Sequence, residues 1–332
     1  MNFFSDIPGF DEELVRAGEK ALELTRDSLC RQPLTEVLDA VFSAPGKMLR
    51  PALVLAFGRF GENYPDCADP LTDTAAVVEL IHMASLIHDD IVDDAPTRRG
   101  RPTIQSAYGK DMAVYAGDYL LSRVLSALVR PGMSAVGQIL SRGIGDMCSG
   151  ELSQYMAQFD LNADENRYFM NISGKTAALF SAACEAGAAV AGCSPDVTAA
   201  ASRFGHSLGV LFQLRDDLID CVPSDREKGK KHGMDFTNGI YTLPVIYSLS
   251  DTECGPRLRE LAGRAPAMDC QALSEELYHL IDKAGGIEYT RWIMRQYSER
   301  AMGSLNLLPA APVKLQLSFL LEALLNIEEG KL

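Results

Sequence analysis

Alternating runs of β-branched residues, the pattern typical of β-strands, are scarce in this chain of 332 residues. Aromatic residues make up 8% of the chain, and tryptophan occurs once, at Trp292. The sequence has neither a phosphate-binding loop of the form GxxxxGK[ST] nor a strand-anchored GxGxxG, so the common nucleotide-binding folds lack their usual signature. Ala-rich stretches with apolar residues at helical spacing are frequent instead, and they favour an all-α protein.

Positive charge is also in short supply. Lysine and arginine total 31 against 45 aspartate and glutamate residues, which gives a net charge of −14 at pH 7. An overall field of that sign repels phosphate backbones, so we expect no nucleic-acid partner. An anionic small molecule must therefore be held by a few well-placed cations or by a bound metal ion.

The chain lacks any apolar run of the roughly 20 residues that a membrane span requires. Its best candidate, residues 176–195, is interrupted by Glu185. The N-terminus has no basic region followed by an apolar core, so no secretory signal is predicted. The eight cysteines are scattered without a CxxC pair, which favours reduced thiols over disulfides or zinc. We expect a cytoplasmic protein with no transmembrane segment.

Helical periodicity runs along the whole chain. It predicts helices over residues 11–30, 70–91, 111–130, 134–159, 164–192, 195–221, 240–250, 270–284, 286–307 and 312–328. The pair Asp69-Pro70 is typical of an N-cap followed by proline at the first helical position. Because no linker is long or biased enough to separate domains, residues 1–332 are predicted to form one all-α domain, an antiparallel helical bundle.

Two aspartate clusters each close an apolar helix. Their carboxylates are Asp89, Asp90, Asp93 and Asp94 in the first cluster, and Asp216, Asp217 and Asp220 in the second. The DDxxD spacing puts like charges on one helical face, which destabilises a helix unless cations compensate. A single DDxxD is commonly a solvated helix end. Two copies, each followed by basic residues, predict binding of Mg²⁺, which prefers hard oxygen ligands.

Basic residues accompany both clusters. Lys47 and Arg50 lie three apart at the start of an apolar helix, and residues 98–101 (RRGR) follow the first cluster within one loop. Guanidinium groups bind phosphate oxygens bidentately. Arginines grouped beside aspartates therefore predict a diphosphate bridged by Mg²⁺ on one side and held by arginine on the other.

Five segments in this order resemble the motifs of trans-isoprenyl diphosphate synthases. They are GKMLRP, HMASLIHDDIVDDAPTRRGRPT, GKTA, FQLRDDLID and GKKHGMDFTNGIYTLP. The resemblance implies an all-α bundle around a deep central cavity, and usually a homodimer. It also implies condensation of isopentenyl diphosphate onto an allylic diphosphate such as farnesyl or geranyl diphosphate, with about two or three Mg²⁺ ions bridging the allylic diphosphate.

The resemblance also implies roles for single residues. The isopentenyl diphosphate ligands would be Lys47, Arg50, His82 and Arg99, although a lone histidine on an apolar helix is more often a hydrogen-bonded core residue. The Mg²⁺ ligands would be Asp89, Asp90, Asp93, Asp216, Asp217 and Asp220. The allylic diphosphate would be contacted by Arg98, Lys175, Thr176, Gln213 and Lys230. One position departs from the pattern, because Ile240 stands where many members have lysine; Lys231 could supply the missing contact.

Product length depends on the helix before the first cluster. Ala84 lies five residues before Asp89, about 7 Å along the axis, with Ile81 and Val77 deeper. In the family, bulky aromatic residues here stop growth at farnesyl length, so the small Ala84 and Ser85 resemble those of longer-chain synthases. They predict a product of about thirty to forty carbons. Alternatively, Ala84 only permits tight helix packing, and the enzyme makes farnesyl or geranylgeranyl diphosphate.

Three other interpretations remain open. A class I terpene cyclase shares the bundle and one aspartate motif, but its second metal motif differs from DDLID and it has no second diphosphate for Lys47 and Arg50 to bind. A non-catalytic subunit of a two-component prenyl synthase would lose its aspartates, whereas both clusters are intact here; the chain could still be the catalytic half of such a heteromer. A purely structural helical protein leaves the paired aspartates and arginines unexplained.

Overall fold

The computed structural model of this protein describes residues 3–26, 30–43, 46–98, 100–222 and 232–326. Its α-helices are α1 Phe10–Thr25, α2 Leu34–Phe42, α3 Leu49–Gly58, α4 Ala68–Val92, α5 Ile104–Tyr108, α6 Lys110–Leu128, α7 Ser134–Met156, α8 Glu165–Ile172, α9 Ala178–Val190, α10 Pro195–Cys221, α11 Met234–Thr237, α12 Leu243–Ser248, α13 Cys254–Arg264, α14 Cys270–Lys283, α15 Gly286–Asn306 and α16 Val313–Leu325. The strands β1 Thr97–Arg98 and β2 Arg101–Pro102 form a two-residue antiparallel hairpin. The predicted all-α fold is confirmed.

The helix predicted over 164–192 is observed as one helical run from Glu165 to Val190, with a π-helical turn at Ser173–Ala177 between α8 and α9. Other predicted boundaries are displaced, since α1 ends at Thr25 rather than near residue 30. Helix α4 begins at Ala68, so Asp69 is not its N-cap and Pro70 lies within the first turn. Proline is tolerated there because the first N–H groups of a helix have no intrahelical acceptor.

The buried apolar residues form one cluster that extends from Phe4 to Leu324. Helix α4 is buried on most sides along its middle, and the Ala-rich α9 packs against α3, α7 and α10. Short side chains on α9 allow these neighbours to approach closely, so the helices around it are held rigidly. Among the described residues, no helix combines the length and apolar character needed to cross a membrane.

Candidate active site

Both aspartate clusters lie at C-terminal helix ends. Asp89 and Asp90 occupy the last turn of α4, and Asp93 is its C-cap. The backbone of Asp94 is left-handed, with φ of 48°, and its carboxylate pairs with Lys110 Nζ at 3.0 Å, at the start of α6. Negative charge at the negative end of a helix dipole is unfavourable. Four carboxylates in this position therefore oppose helix stability and point to a function that needs them.

Asp89 faces a cationic residue on the π-helical turn. Lys175 Nζ donates to Glu151 Oε2 at 3.0 Å. Burial raises the pKa of Asp89 to about 7, assisted by the negative charge of Glu151 and opposed by Lys175. Burial tends to lower the pKa of Lys175, but the carboxylates of Glu151 and Asp89 outweigh it, so the net direction is upward. Lys175 therefore stays charged beside the first cluster.

In the second cluster, Asp217 is buried and both of its oxygens accept hydrogen bonds. Tyr168 Oη donates to Oδ2, and Gln213 Nε2 donates to Oδ1 at 2.8 Å. Thr176 Oγ1 in turn donates to Gln213 Oε1 at 2.6 Å. Burial raises the pKa of Asp217 to about 7 although both donors act to lower it. This chain of contacts fixes Gln213 and Thr176 relative to each other.

Asp220 connects the second cluster to a further carboxylate. Its oxygens accept the backbone N–H groups of Met234 at 3.3 Å and Asp235 at 3.2 Å, at the start of α11. Burial raises the pKa of Asp235 well above its usual range, and the neighbouring Asp220 and Asp217 act in the same direction. Asp216, by contrast, is exposed on α10.

A cavity of about 190 Å³ joins the two clusters. Its lining includes Asp93 from the first cluster, Asp217 from the second, and Asp235, Lys175 and Ile240. A larger open groove of about 1350 Å³ between α7, α9 and α10 contains none of the predicted site residues. The smaller cavity is therefore the candidate active site, because it brings together the charges that the sequence singles out.

Of the residues predicted to bind isopentenyl diphosphate, Arg50 and His82 are in contact. Arg50 Nη1 donates to His82 Nε2 at 3.2 Å, and Lys47 is exposed just before α3. Burial lowers the pKa of Arg50 to about 10 despite the opposing charges of Glu79 and Asp216. Two further predicted ligands, Arg99 and Lys230, lie outside the described residues, as does Lys231.

Arg98 pairs with the first cluster in this structure. Its Nε donates to Asp90 Oδ1 at 2.8 Å, and Asp90 is 6% exposed. Burial raises the pKa of Asp90 although Arg98 acts to lower it. The contact neutralises one buried carboxylate and holds the β1–β2 hairpin against the end of α4.

The predicted length-determining residues lie along α4 before Asp89. Val77, Ile81 and Ala84 are buried, and Ser85 donates to the carbonyl oxygen of His82 at 2.9 Å. Because four residues make about one helical turn, Ser85 lies one turn from Asp89 on the same face.

Three residues of this site were missed from the sequence. Tyr168 and Glu151 lie far along the chain from the residues they contact, and each is an ordinary helical polar residue when considered alone. Asp235 lies inside the GMDF segment, but it has no acidic neighbour at helical spacing. Its position within a motif that resembles those of the family, rather than any charge pattern, could have identified Asp235 as a site residue.

The donor set suits a hard divalent cation. Asp89, Asp93, Asp217 and Asp235 supply oxygen atoms only, and burial makes ionisation of Asp89, Asp217 and Asp235 costly until a cation arrives. Among the described residues, no three Asp, Glu, His or Cys side chains are close enough to form a ready-made metal site. Mg²⁺ fits this arrangement, because it commonly takes one or two carboxylates plus substrate phosphate oxygens.

We predict that Gly150→Ala will displace the turn that carries Lys175. A Cβ atom at Gly150 would lie 2.3 Å from the backbone nitrogen of Lys175, and overpacking of this kind costs about 1–3 kcal/mol. The variant should unfold at a lower temperature and show a higher KM for the allylic diphosphate that the motif resemblance implies as a substrate. Gly145→Ala on the same helix is the matched control, because nothing lies within 4 Å of its Cβ position. Equal melting temperatures for the two variants would contradict the prediction.

Known proteins resemble this chain both in sequence and in structure. Residues 31–281 match the family described as polyprenyl synthetase. The chain is 34% identical over 304 residues to heptaprenyl diphosphate synthase component 2 of Geobacillus stearothermophilus, covering 92% of this chain and 90% of that protein. A decaprenyl diphosphate synthase from Rhodobacter capsulatus has a similar crystal structure, with a TM-score of 0.86, 32% identity and 96% of both chains covered.

A second similar structure contains bound ligands. It is a polyprenyl synthase from Caulobacter crescentus CB15 complexed with calcium and isoprenyl diphosphate. The TM-score is 0.85 at 30% identity, covering 95% of this chain and 94% of that one. The family match spans both aspartate clusters and the cavity between them.

Proposed function

Because the chain belongs to the polyprenyl synthetase family and is a prenyltransferase, we propose that it condenses isopentenyl diphosphate head-to-tail onto an allylic diphosphate. The product is a trans-polyprenyl diphosphate of about thirty to forty carbons, and small side chains before the first cluster support that length. The seven-unit chain in the name of its Geobacillus relative falls within this range. The observation that carries the proposal is the single cavity lined by Asp93, Asp217, Asp235 and Lys175.

Asp89, Asp93 and Asp216 would hold Mg²⁺, which when bound would supply the positive charge that neutralises the allylic diphosphate. Lys175 binds the leaving diphosphate from the π-helical turn. The allylic C–O bond then breaks, and its electron pair leaves with the diphosphate. Thr176 and Gln213, oriented by Asp217, present fixed dipoles to the allylic cation without trapping it.

Arg50, His82 and Lys47 hold the diphosphate of isopentenyl diphosphate so that its double bond lies beside the cation. The π electrons form the new carbon–carbon bond, and a proton then leaves the adjacent carbon for an oxygen of the released diphosphate. No side chain has to act as nucleophile or as a tuned general base.

We also propose that the active form contains two copies of this chain. Large apolar side chains are exposed along α6 and the end of α7, and such surfaces mark association sites. They are Val114, Tyr115, Leu125, Val129, Leu152, Tyr155 and Met156. The word "component" in the name of the Geobacillus relative favours a second candidate, the catalytic half of a heteromer. Scattering-based mass and activity of the chain purified alone separate the two.

The test of the reaction is incubation with labelled isopentenyl diphosphate, farnesyl diphosphate and Mg²⁺, followed by sizing of the extracted product. A ladder ending near thirty to forty carbons is expected. A product of about fifteen to twenty carbons would retain the reaction and overturn the length argument. Failure to incorporate label would contradict the homomeric enzyme, and activity regained with a second subunit would support the heteromer.

Ile240→Lys is predicted to tighten binding of the allylic substrate. Ile240 lines the cavity with Asp93, Asp217 and Asp235, so a lysine there adds a further cation, in addition to Lys175, among three carboxylates and near the diphosphate. The KM for the allylic substrate should fall about threefold to tenfold, the effect of roughly 1 kcal/mol. Ile240→Met, which is long but uncharged, should leave KM unchanged; a similar gain from both substitutions would rule out charge as the cause.

A further inference from the structure

Arg50 lies over an aromatic ring that the sequence motifs do not include. Its guanidinium carbon is 4.4 Å from the centroid of the Phe180 ring. Nη1 donates to His82 Nε2 at 3.2 Å, and Nε is buried without a hydrogen-bond partner among the described residues. The arginine is therefore oriented by one hydrogen bond in its plane and by one ring on its face.

The Phe180 ring is itself held firmly. Phe180 is fully buried on α9, and its ring centroid is 5.4 Å from that of Phe212. A Cβ added at Gly205 of α10 would lie 2.5 Å from the carbonyl oxygen of Phe180, so α10 clamps the backbone at this turn. The ring has no room to move away from the guanidinium.

The helices that carry the two partners are also in direct backbone contact. A Cβ added at Gly187 of α9 would lie 2.2 Å from the carbonyl oxygen of Val54, which lies one turn beyond Arg50 on α3. Because α3 and α9 meet without intervening side chains, the distance between Arg50 and Phe180 is set by the fold.

We propose that Phe180 is a positioning residue for the binding of isopentenyl diphosphate, acting through Arg50. A cation over an aromatic face is attracted by the negative charge of the π system, most strongly where water is excluded. The charges of Glu79 and Asp216 also act on the guanidinium. The ring contacts the guanidinium without occupying any of its N–H donors, so it orients Arg50 without competing with a diphosphate.

This inference rests on the proposed function, since it assigns Arg50 to isopentenyl diphosphate. Phe180→Leu keeps an apolar side chain and removes the π face. We expect the KM for isopentenyl diphosphate to rise about fivefold to twentyfold. The kcat and the KM for the allylic substrate should stay within about twofold, because Lys175, Thr176 and Gln213 are untouched.

Isosteric variants separate the electrostatic contact from packing. Replacing Phe180 with its monofluorinated and trifluorinated analogues keeps the ring and withdraws its π charge, so log KM should rise stepwise with fluorine number. Phe212→Leu, which removes the neighbouring ring but leaves Phe180 against the guanidinium, is the matched control and should raise this KM much less than Phe180→Leu does. In Arg50→Gln protein, Phe180→Leu should add little, because the two residues act as a unit.

Binding of isopentenyl diphosphate measured by calorimetry, with a non-ionisable allylic thiodiphosphate present, checks the same shift without turnover. If the wild-type enzyme elongates normally and the Phe180→Leu and fluorinated proteins keep the wild-type KM for isopentenyl diphosphate, this inference is overturned. The proposed function would then be retained. Equal KM increases for both substrates, or equal effects of Phe180→Leu and Phe212→Leu, would reduce Phe180 to a packing role. Wild-type protein that incorporates no isopentenyl diphosphate would instead overturn the proposed function.

Discussion

Asp89→Asn is expected to lower kcat about a hundredfold to a thousandfold while making the metal-free protein more stable at pH 8. The loss of activity follows from the proposed mechanism, in which Asp89 holds the cation that neutralises the allylic diphosphate. The gain in stability follows because burial raises the pKa of Asp89 from its usual 3.8 to about 7. The folded state therefore binds more protons than the unfolded state between these pH values.

The stability of the metal-free protein should fall as the pH rises through the pKa of Asp89. A carboxyl group with a raised pKa in the folded state contributes stability at low pH, and that contribution falls as the pH rises from about 4 through about 7. At pH 8 wild-type Asp89 is ionised and Lys175 offsets the cost of its burial only in part, so Asp89→Asn should raise the melting temperature of the metal-free protein by about 2–4 °C. At pH 5 the gain should be smaller. Thermal unfolding at both pH values without Mg²⁺ measures it.

Two matched variants make this test specific. Asp216→Asn removes a predicted metal ligand that is exposed, so it should lose activity without gaining stability. Asp94→Asn changes a carboxylate that pairs with Lys110 on α6, so it should keep nearly full activity. If Asp89→Asn and Asp216→Asn both turn over at the wild-type rate with Mg²⁺, the aspartate clusters do not bind the catalytic metal.

Ala84→Phe is expected to shorten the product to about fifteen to twenty carbons. Ala84 is 1% exposed and lies about 7 Å before Asp89 along α4. The proposed product length requires the growing prenyl chain to pass this turn of α4, so an aromatic ring there should block its extension. The length of the extracted product, measured against prenyl alcohol standards, checks the prediction.

Because Ala84 is buried, the larger side chain could also destabilise the protein by about 1–3 kcal/mol. Ser85→Phe provides a second, independent variant, since Ser85 is only partly buried and lies one turn from Asp89. Ala84→Ser, which adds one atom, should keep the wild-type length. If both phenylalanine variants fold and still make the wild-type product, chain length is limited elsewhere in the molecule.

Spacing along the sequence was enough to predict the features of this protein that depend only on residues close together in the chain. Apolar residues at helical intervals were enough to predict an all-α fold, because helix periodicity is a local property. The same rule identified Asp89 with Asp93, and Asp216 with Asp220, as carboxylates sharing a helical face. The order of the five motifs, which includes Lys47, was also readable from the chain alone.

Tertiary structure decided which of those carboxylates enter the cavity and what they contact. Asp217 is held by Tyr168, a partner 49 residues away, and Asp220 orders the backbone that brings in Asp235. Arg50 and Phe180 are 130 positions apart, yet they are stacked because α3 and α9 touch backbone to backbone. No local pattern encodes such pairings, since they depend on helix packing that forms only when the whole core is assembled.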